Sequence, residues 1–179
     1  MSATSDFAHL SRATRGMLAQ AKQYNAEAAE QLQTSGSTIF VNALRTATME
    51  LTLIAVGAVG TFEALLQAEY KWPDAFKALD AFLTDKGHLD LVERFRDYRD
   101  AINVLKHGEG RSYDRLLARK AVLAFDVKDR GIPFFHEGDV SEVSRLVAAN
   151  APFVEQCVDT IDEIVGILEV SLQPAWMSS

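Results

Sequence analysis

The chain contains one cysteine, Cys157. A single thiol excludes an intramolecular disulfide and any metal site built on cysteines. Its neighbours Val154, Val158 and Ile161 mark it as a small core side chain rather than a reactive one. Histidine is also sparse. His9, His88 and His136 stand apart, and no His-x3-His or His–carboxylate pair has ligand spacing, so no metal is expected. Walker, Rossmann and nucleophile-elbow motifs are absent, and no cofactor is expected. The opening residues Met1 to Asp6 hold no basic stretch ahead of an apolar run, which excludes a secretory signal there. The longest apolar run, Leu51 to Leu66, is broken by Thr52, Thr61 and Glu63. It is shorter than the roughly 20 apolar residues of a membrane-spanning helix. A cytoplasmic chain without membrane contact is the expectation.

What is present suits one globular unit. With 179 residues, 48% apolar and 24% charged, the composition supports a single domain over 1–179 with its core over roughly 6–172. No internal repeat or low-complexity stretch is evident. The net charge of −7 excludes a surface that coats nucleic acid as a whole. Residues 86–120 are the exception, with nine Lys or Arg against six Asp or Glu. Two readings stay open for that segment: a local patch that contacts phosphates, or a solvated helix of mixed charge.

Apolar periodicity predicts helices along most of the chain. Phe7, Leu10, Met17, Ala21, Tyr24, Ala28 and Leu32 share one face of a first helix over 6–33, and Gly36-Ser37 supplies a break. A second helix spans 38–70. Its centre is apolar nearly all round, so it should be buried on most sides. Gly57 and Gly60 there cost about 1 kcal/mol each in propensity, which close approach of another helix would offset. Trp72-Pro73-Asp74 starts a third helix, with Pro73 at the first helical position and an acid beside it, that runs to about Thr84 and is ended by Asp85-Lys86-Gly87. A fourth runs from His88 to Lys106 or His107, closed by Gly108. Ser112 caps a short fifth helix to Leu117. Residues 119–136 read as a β-hairpin, or a pair of short strands, around a turn at Lys128–Gly131. Asp139 and Glu142 form a capping box. A final stripe from Val143 to Leu168 is interrupted at Pro152, where a kink or two abutting helices are expected. The fold class is therefore all-α: an antiparallel helical bundle with a small β-hairpin insert near 119–136. Phe134, Phe135 and Trp72 are read as core.

The densest chemistry lies in Arg94–Tyr113. With about 100° per residue and Arg96 at zero, Leu91, Phe95, Tyr98, Ile102 and Leu105 fall at roughly 180–260°, the core face. Asn103 and His107 lie within roughly 20° of Arg96, and Arg99 and Lys106 at roughly 280–300°. These five side chains form a polar strip that could line a cleft or flank a helix interface. The strip has a plainer reading as well. Lys106 and His107 complement the negative end of the helix dipole, and Gly108 simply ends the helix. Glu63 would need a partner if buried, and Arg99 is the nominee; an exposed Glu63 needs none. Gly108-Glu-Gly110 follows a helix C-terminus, whereas anion cradles form at N-termini, so only Ser112 offers a weak anion site.

Arg99-Asp100 followed by Asn103-Val-Leu-Lys-His107-Gly108 resembles the motif helix of the HEPN superfamily, in which an Arg and a polar residue precede a His. Thr61-Phe-Glu63-Ala-Leu-Leu66 resembles the earlier helix of such domains, where an acidic residue can face the motif. The resemblance covers about residues 40–120. It implies a small all-α domain directed at RNA, as a metal-independent ribonuclease, or as a binding or dimerisation module that has lost catalysis. It also implies homodimers with both motifs on a shared cleft, a setting in toxin–antitoxin or defence systems, and an antitoxin-like protein partner. On that reading His107 is general acid or base, Arg99 holds the scissile phosphate, and Asn103 orients either group. Lys106, Arg96, Arg111 and Ser112 bind the backbone, with Glu63 facing the motif. Seven residues separate Arg99 from His107, where the family has four to six. The pair is then about 80° apart and about 12 Å along the axis. Assembly across a dimer would relax that constraint.

Overall fold

The computed structural model describes residues 3–35, 38–131 and 146–172. Among them the chain is all-α. The helices are α1 (Ala3–Ser35), α2 (Thr38–Tyr70), α3 (Ala75–Asp85), α4 (Leu89–His107), α5 (Arg111–Arg119) and α6 (Ala151–Leu172). A single 3-10 turn, Lys120–Val122, follows α5.

α4 is the central helix, touching α2, α3, α5 and α6. Leu91, Phe95, Tyr98 and Ile102 are buried as its periodicity requires, and Val92, Ala101 and Val104 are buried as well. That wider burial follows from having neighbours on several sides. Two aromatic groups knit the core. Phe7 packs on Phe62, Phe62 on Phe95 and Phe95 on Phe76, edge to face at 5.8, 5.7 and 5.4 Å. Tyr98, Phe125 and Phe153 form a second cluster with centroids 5.1–5.4 Å apart.

Ion pairs set the register between helices. Ser11 and Arg15 of α1 donate to Asp162 of α6 at 2.9 and 2.7 Å, Arg15 also reaches Asp159, and Lys22 pairs with Glu155. On α5, Arg115 pairs with Asp100 and Arg119 with Asp97. In both pairs of helices, positions rise along one partner as they fall along the other.

Several expectations are corrected. Asp74, not Pro73, opens α3, and its side chain accepts from the Lys77 backbone N–H at 3.2 Å. Gly110 occupies the N-cap of α5, so Ser112 lies inside the helix and its Oγ accepts from Arg115. Pro152 produces no kink. It sits in the first turn of α6, where no helical N–H partner is required, and Asn150 caps that turn by accepting from Phe153 N at 3.0 Å. Leu146 and Val147 precede the helix instead of joining its stripe. Met17 and Tyr24, expected on the buried stripe of α1, are 48% and 47% exposed. Phe7, Thr14, Leu18, Ala21 and Ala28 form the buried face, because among the described residues α1 is covered by α2 and α6. Gly57 and Gly60 have nothing within 4 Å of an added Cβ among the described residues, so none of the described helices approaches them.

The first arm of the expected hairpin is a 3-10 turn followed by extended chain. Its one bridge joins Val127 to Val147, with Lys128 N donating to Leu146 O and Ala148 N to Asp126 O. The Tyr113 hydroxyl donates to Lys128 O at 2.6 Å and ties this segment to α5. The second arm at Ile132–Phe135, His136, the Asp139–Glu142 capping box, Val143, the Gly36-Ser37 break and the side chain of Leu32 lie outside the described residues. Helix α2 is longer than its central apolar run suggests. Ile39–Tyr70 is long and apolar enough to cross a membrane by length and composition, with a mean hydropathy of 1.6 and 39% of that window buried.

Candidate functional site

A cavity of about 870 Å³ opens between α2, α4 and α5, with Phe76 of α3 at its edge. Val56, Val59 and Ile102 give it an apolar wall, and Gly60 leaves room beside them. Arg96, Arg99, Asn103 and Lys106 line it from α4, and Glu63 from α2. The structure thus brings five of the eight proposed site residues to one place. His107, Arg111 and Ser112 are not among its lining residues. His107 and Arg111 are exposed at the α4–α5 junction, and Ser112 is half-buried beside Arg115. The wheel does not explain the split, because His107 shares the angle of Arg96 and Asn103. It is the last residue of α4, one turn beyond Asn103, so the separation is along the helix axis.

Arg99 is held by Asp80, not by Glu63. Its Nη2 donates to Asp80 Oδ2 at 2.9 Å, and Arg96 Nε donates to the same oxygen at 2.8 Å. The guanidinium of Arg99 lies over the rings of Phe76 and Phe95, 5.0 and 5.4 Å from their centroids. The side chains of Arg99 and Asp80 are only 16% and 14% exposed. Glu63 is half-buried at the cavity wall and makes no ion pair or hydrogen bond among the described residues. The correction has a simple cause: α3 packs along α4 and puts Asp80 within reach of both arginines.

The α5 wall is built from two charge pairs that sequence reasoning did not single out. Arg115 Nε donates to Asp100 Oδ2 at 2.7 Å, and its Nη2 donates to Oδ1 as well. Arg119 donates to both oxygens of Asp97 at 2.8 and 3.0 Å and reaches Glu93 at 3.4 Å. Hydrogen bonds to these carboxylates push both guanidinium groups above their ordinary pKa. A signal was available. Asp97 and Asp100 lie three apart on one helix, and Arg115 and Arg119 four apart on the next, which is the spacing of complementary helix faces.

This pairing reshapes the electrostatics of the basic segment. Of its nine cations, Arg94, Arg96, Arg99, Arg115, Arg119 and Lys120 are each bound to a carboxylate. Lys86 lies over Phe82. Among the described residues Lys106 and Arg111 are left without an anionic partner, and so is the His107 ring. The free positive charge is therefore concentrated at the C-terminal end of α4 and the start of α5. Cys157 is buried, and burial pushes its thiol up to about 12, which removes it as a nucleophile. No group of three or more His, Cys, Asp or Glu among the described residues could hold a metal ion. Compared with family models, with curated proteins and with solved structures, the chain finds no match.

Proposed function

We propose that this chain is a HEPN-like RNA-directed module that binds single-stranded RNA at the α4–α5 junction without cutting it. The observation that carries this reading is the separation of the motif pair: Arg99 is neutralised by Asp80 inside the cavity, and His107 stands outside it. A scissile phosphate held by Arg99 would have to displace Asp80 and still present its 2′-hydroxyl to a ring that does not line the same cavity. Binding needs less. Lys106 and Arg111 are free to meet phosphates, and an unstacked base fits the apolar wall of Val56, Val59 and Ile102. The cavity volume of about 870 Å³ is within the ordinary range for small-ligand sites. We read the architecture as an antiparallel bundle with a small β insert, and the setting as cytoplasmic.

The test is RNA binding by fluorescence anisotropy at several salt concentrations, with a cleavage assay in excess EDTA. Wild type should bind and leave the RNA intact. Lys106→Ala and Arg111→Ala should each weaken binding and flatten the salt dependence by about one phosphate contact. Cleavage in EDTA that disappears in His107→Ala would overturn this reading in favour of a metal-independent ribonuclease. One observation supports that second reading: His107 is exposed and has no anionic partner among the described residues, so a substrate could reach its ring. Its setting would then be a toxin–antitoxin or defence system with an antitoxin-like partner, and two protomers would share a cleft.

A further inference from the structure

The cavity between α2, α4 and α5 holds two charges that the protein itself leaves unmatched. Nine charged side chains line it, and seven of them are bound in ion pairs. Among the described residues, the remaining two are Glu63 and Lys106, opposite in sign. Asn103, on the same wall, has no side-chain hydrogen bond among the described residues either. Glu63 is half-buried and ends a stripe on α2, since Val56, Val59 and Glu63 recur at three- and four-residue steps. Phe62 packs on Phe95 at 5.7 Å, which puts Glu63 level with the first half of α4. Lys106 lies eleven residues beyond Phe95, about 16 Å along the axis. The two charges therefore stand at opposite ends of the cavity, with Asn103 and the apolar Ile102 between them along α4.

A ligand that matches this wall brings hydrogen-bond donors to Glu63 and a negative charge to Lys106, with a flat apolar body between. An ionised carboxylate only accepts, and its two oxygens take two parallel donors at once. Among the RNA bases, guanine alone offers such an edge: its N1–H and N2 amine lie side by side. Uracil sets its N3–H between two carbonyl oxygens, which a carboxylate repels. Adenine and cytosine place a bare ring nitrogen beside their amino group. Guanine also carries two acceptors, O6 and N7, for the amide N–H of Asn103. Its ring suits the apolar wall, and its phosphate completes the match at Lys106. Arginine offers a similar donor pair, but its α-ammonium would meet no free carboxylate, because the other three on the wall are paired. We infer that the cavity selects guanine in single-stranded RNA, with Glu63 reading N1–H and the N2 amine, Asn103 the O6 and N7 edge, and Lys106 the adjoining phosphate. This selectivity rests on the RNA reading and adds the base that the cavity accepts.

The full chain is titrated into short labelled oligouridine strands that carry guanine, inosine, adenine or cytosine at one central position, with fluorescence anisotropy as the readout. Wild type should bind the guanine strand about tenfold more tightly than the adenine strand, in the range of a bidentate base contact. Inosine lacks the N2 amine and should fall between the two. Glu63→Gln keeps the shape of a side chain that has no partner among the described residues, and should bring the four strands to nearly equal affinity. Lys106→Ala should weaken all four alike and keep their order. Far-UV circular dichroism checks that both variants are folded. A wild type that binds the strands equally, or a guanine preference that survives Glu63→Gln, overturns the guanine site and leaves the RNA reading standing. If no strand binds, thermal melting with guanosine and adenosine monophosphates separates the two claims. Stabilisation by the guanine nucleotide that is lost in Glu63→Gln keeps the site, gives it a free nucleotide and overturns the RNA reading alone. No preference for guanine in that assay overturns both.

Discussion

Removing the carboxylate of Asp80 strands two arginines at once, and the structure sets the size of the effect. Asp80 Oδ2 accepts from both Arg96 and Arg99, with three-quarters or more of the Asp80 and Arg99 side chains shielded from water. Breaking a buried pair by deleting one partner costs about 3–5 kcal/mol, because the remaining charge is left without compensation. Two features reduce that figure here. Arg99 keeps the faces of Phe76 and Phe95, each worth about 0.5–1 kcal/mol. Arg96 is 53% exposed and its share of the interaction is that of a surface pair, at most about 1 kcal/mol. Asp80→Ala should therefore destabilise the fold by about 2–3 kcal/mol. For a chain of this length that lowers Tm by roughly 5–10 °C. The assay is urea unfolding of wild type, Asp80→Ala, Arg99→Met and the double variant. A coupling of about 1–2 kcal/mol between the two sites is expected, since they are in direct contact. A single variant within about 0.5 kcal/mol of wild type, or two effects that simply add, would refute the view that this pair anchors α3 to α4. Asp80→Asn supplies a functional readout on the same cycle. It releases Arg99 toward the cavity, so RNA affinity should rise; an unchanged affinity would remove Arg99 from the ligand site.

Gly108 closes α4 with φ 76° and ψ −144°, a backbone region nearly reserved for glycine, while an added Cβ meets nothing. Gly108→Ala should thus lose about 1–3 kcal/mol from backbone strain alone, measurable in urea. Arg115→Ala should cost about 1 kcal/mol by thermal melting, because Asp100 is 13% exposed and Arg115 is 56% exposed. The same change should open the α5 wall and weaken any ligand that the cavity holds. Burial raises the Cys157 thiol from 9.0 to about 12, so between those values the unfolded chain releases a proton that the folded chain keeps. Stability should be complete below pH 9 and fall by up to about 1.4 kcal/mol per unit above it. Burial also raises Tyr98, Tyr70 and Tyr113, which extends the decline at higher pH. Cys157→Ala should flatten the first part of that slope.

Much of the helical content was legible because it rests on local rules. The 3.6-residue period of α4 identifies Leu91, Phe95, Tyr98, Ile102 and Leu105 as core; the first four are buried and Leu105 is partly buried against them. The end of α4 at Gly108 and the start of α3 near Asp74 follow from capping chemistry, which also acts within a few residues. The errors have a common origin. Pro152 was read as an interruption because an isolated proline does not show whether it lies inside a helix or in its first turn. Val127 pairs with Val147 across 20 positions, and no local pattern announces such a partner. Met17 and Tyr24 were assigned to the core because periodicity identifies an apolar face without stating whether another element covers it.

The candidate site divides the same way. Arg96, Arg99, Asn103 and Lys106 were placed on one strip by helix geometry, and they line one cavity. Their charge state as a group was not readable. An excess of three positive charges in residues 86–120 suggested an open basic patch, yet most of those cations are bound to carboxylates on α3, α4 and α6 or beside α5. The sequence by itself determined the all-α class, the limits of α4, its apolar face and the absence of any cysteine-based metal site, since each depends on neighbours within one or two turns. Only the tertiary structure decided that Asp80 neutralises Arg99 and that His107 lies outside the cavity. Those outcomes depend on which helices meet, and that choice is made by packing among residues far apart in the chain.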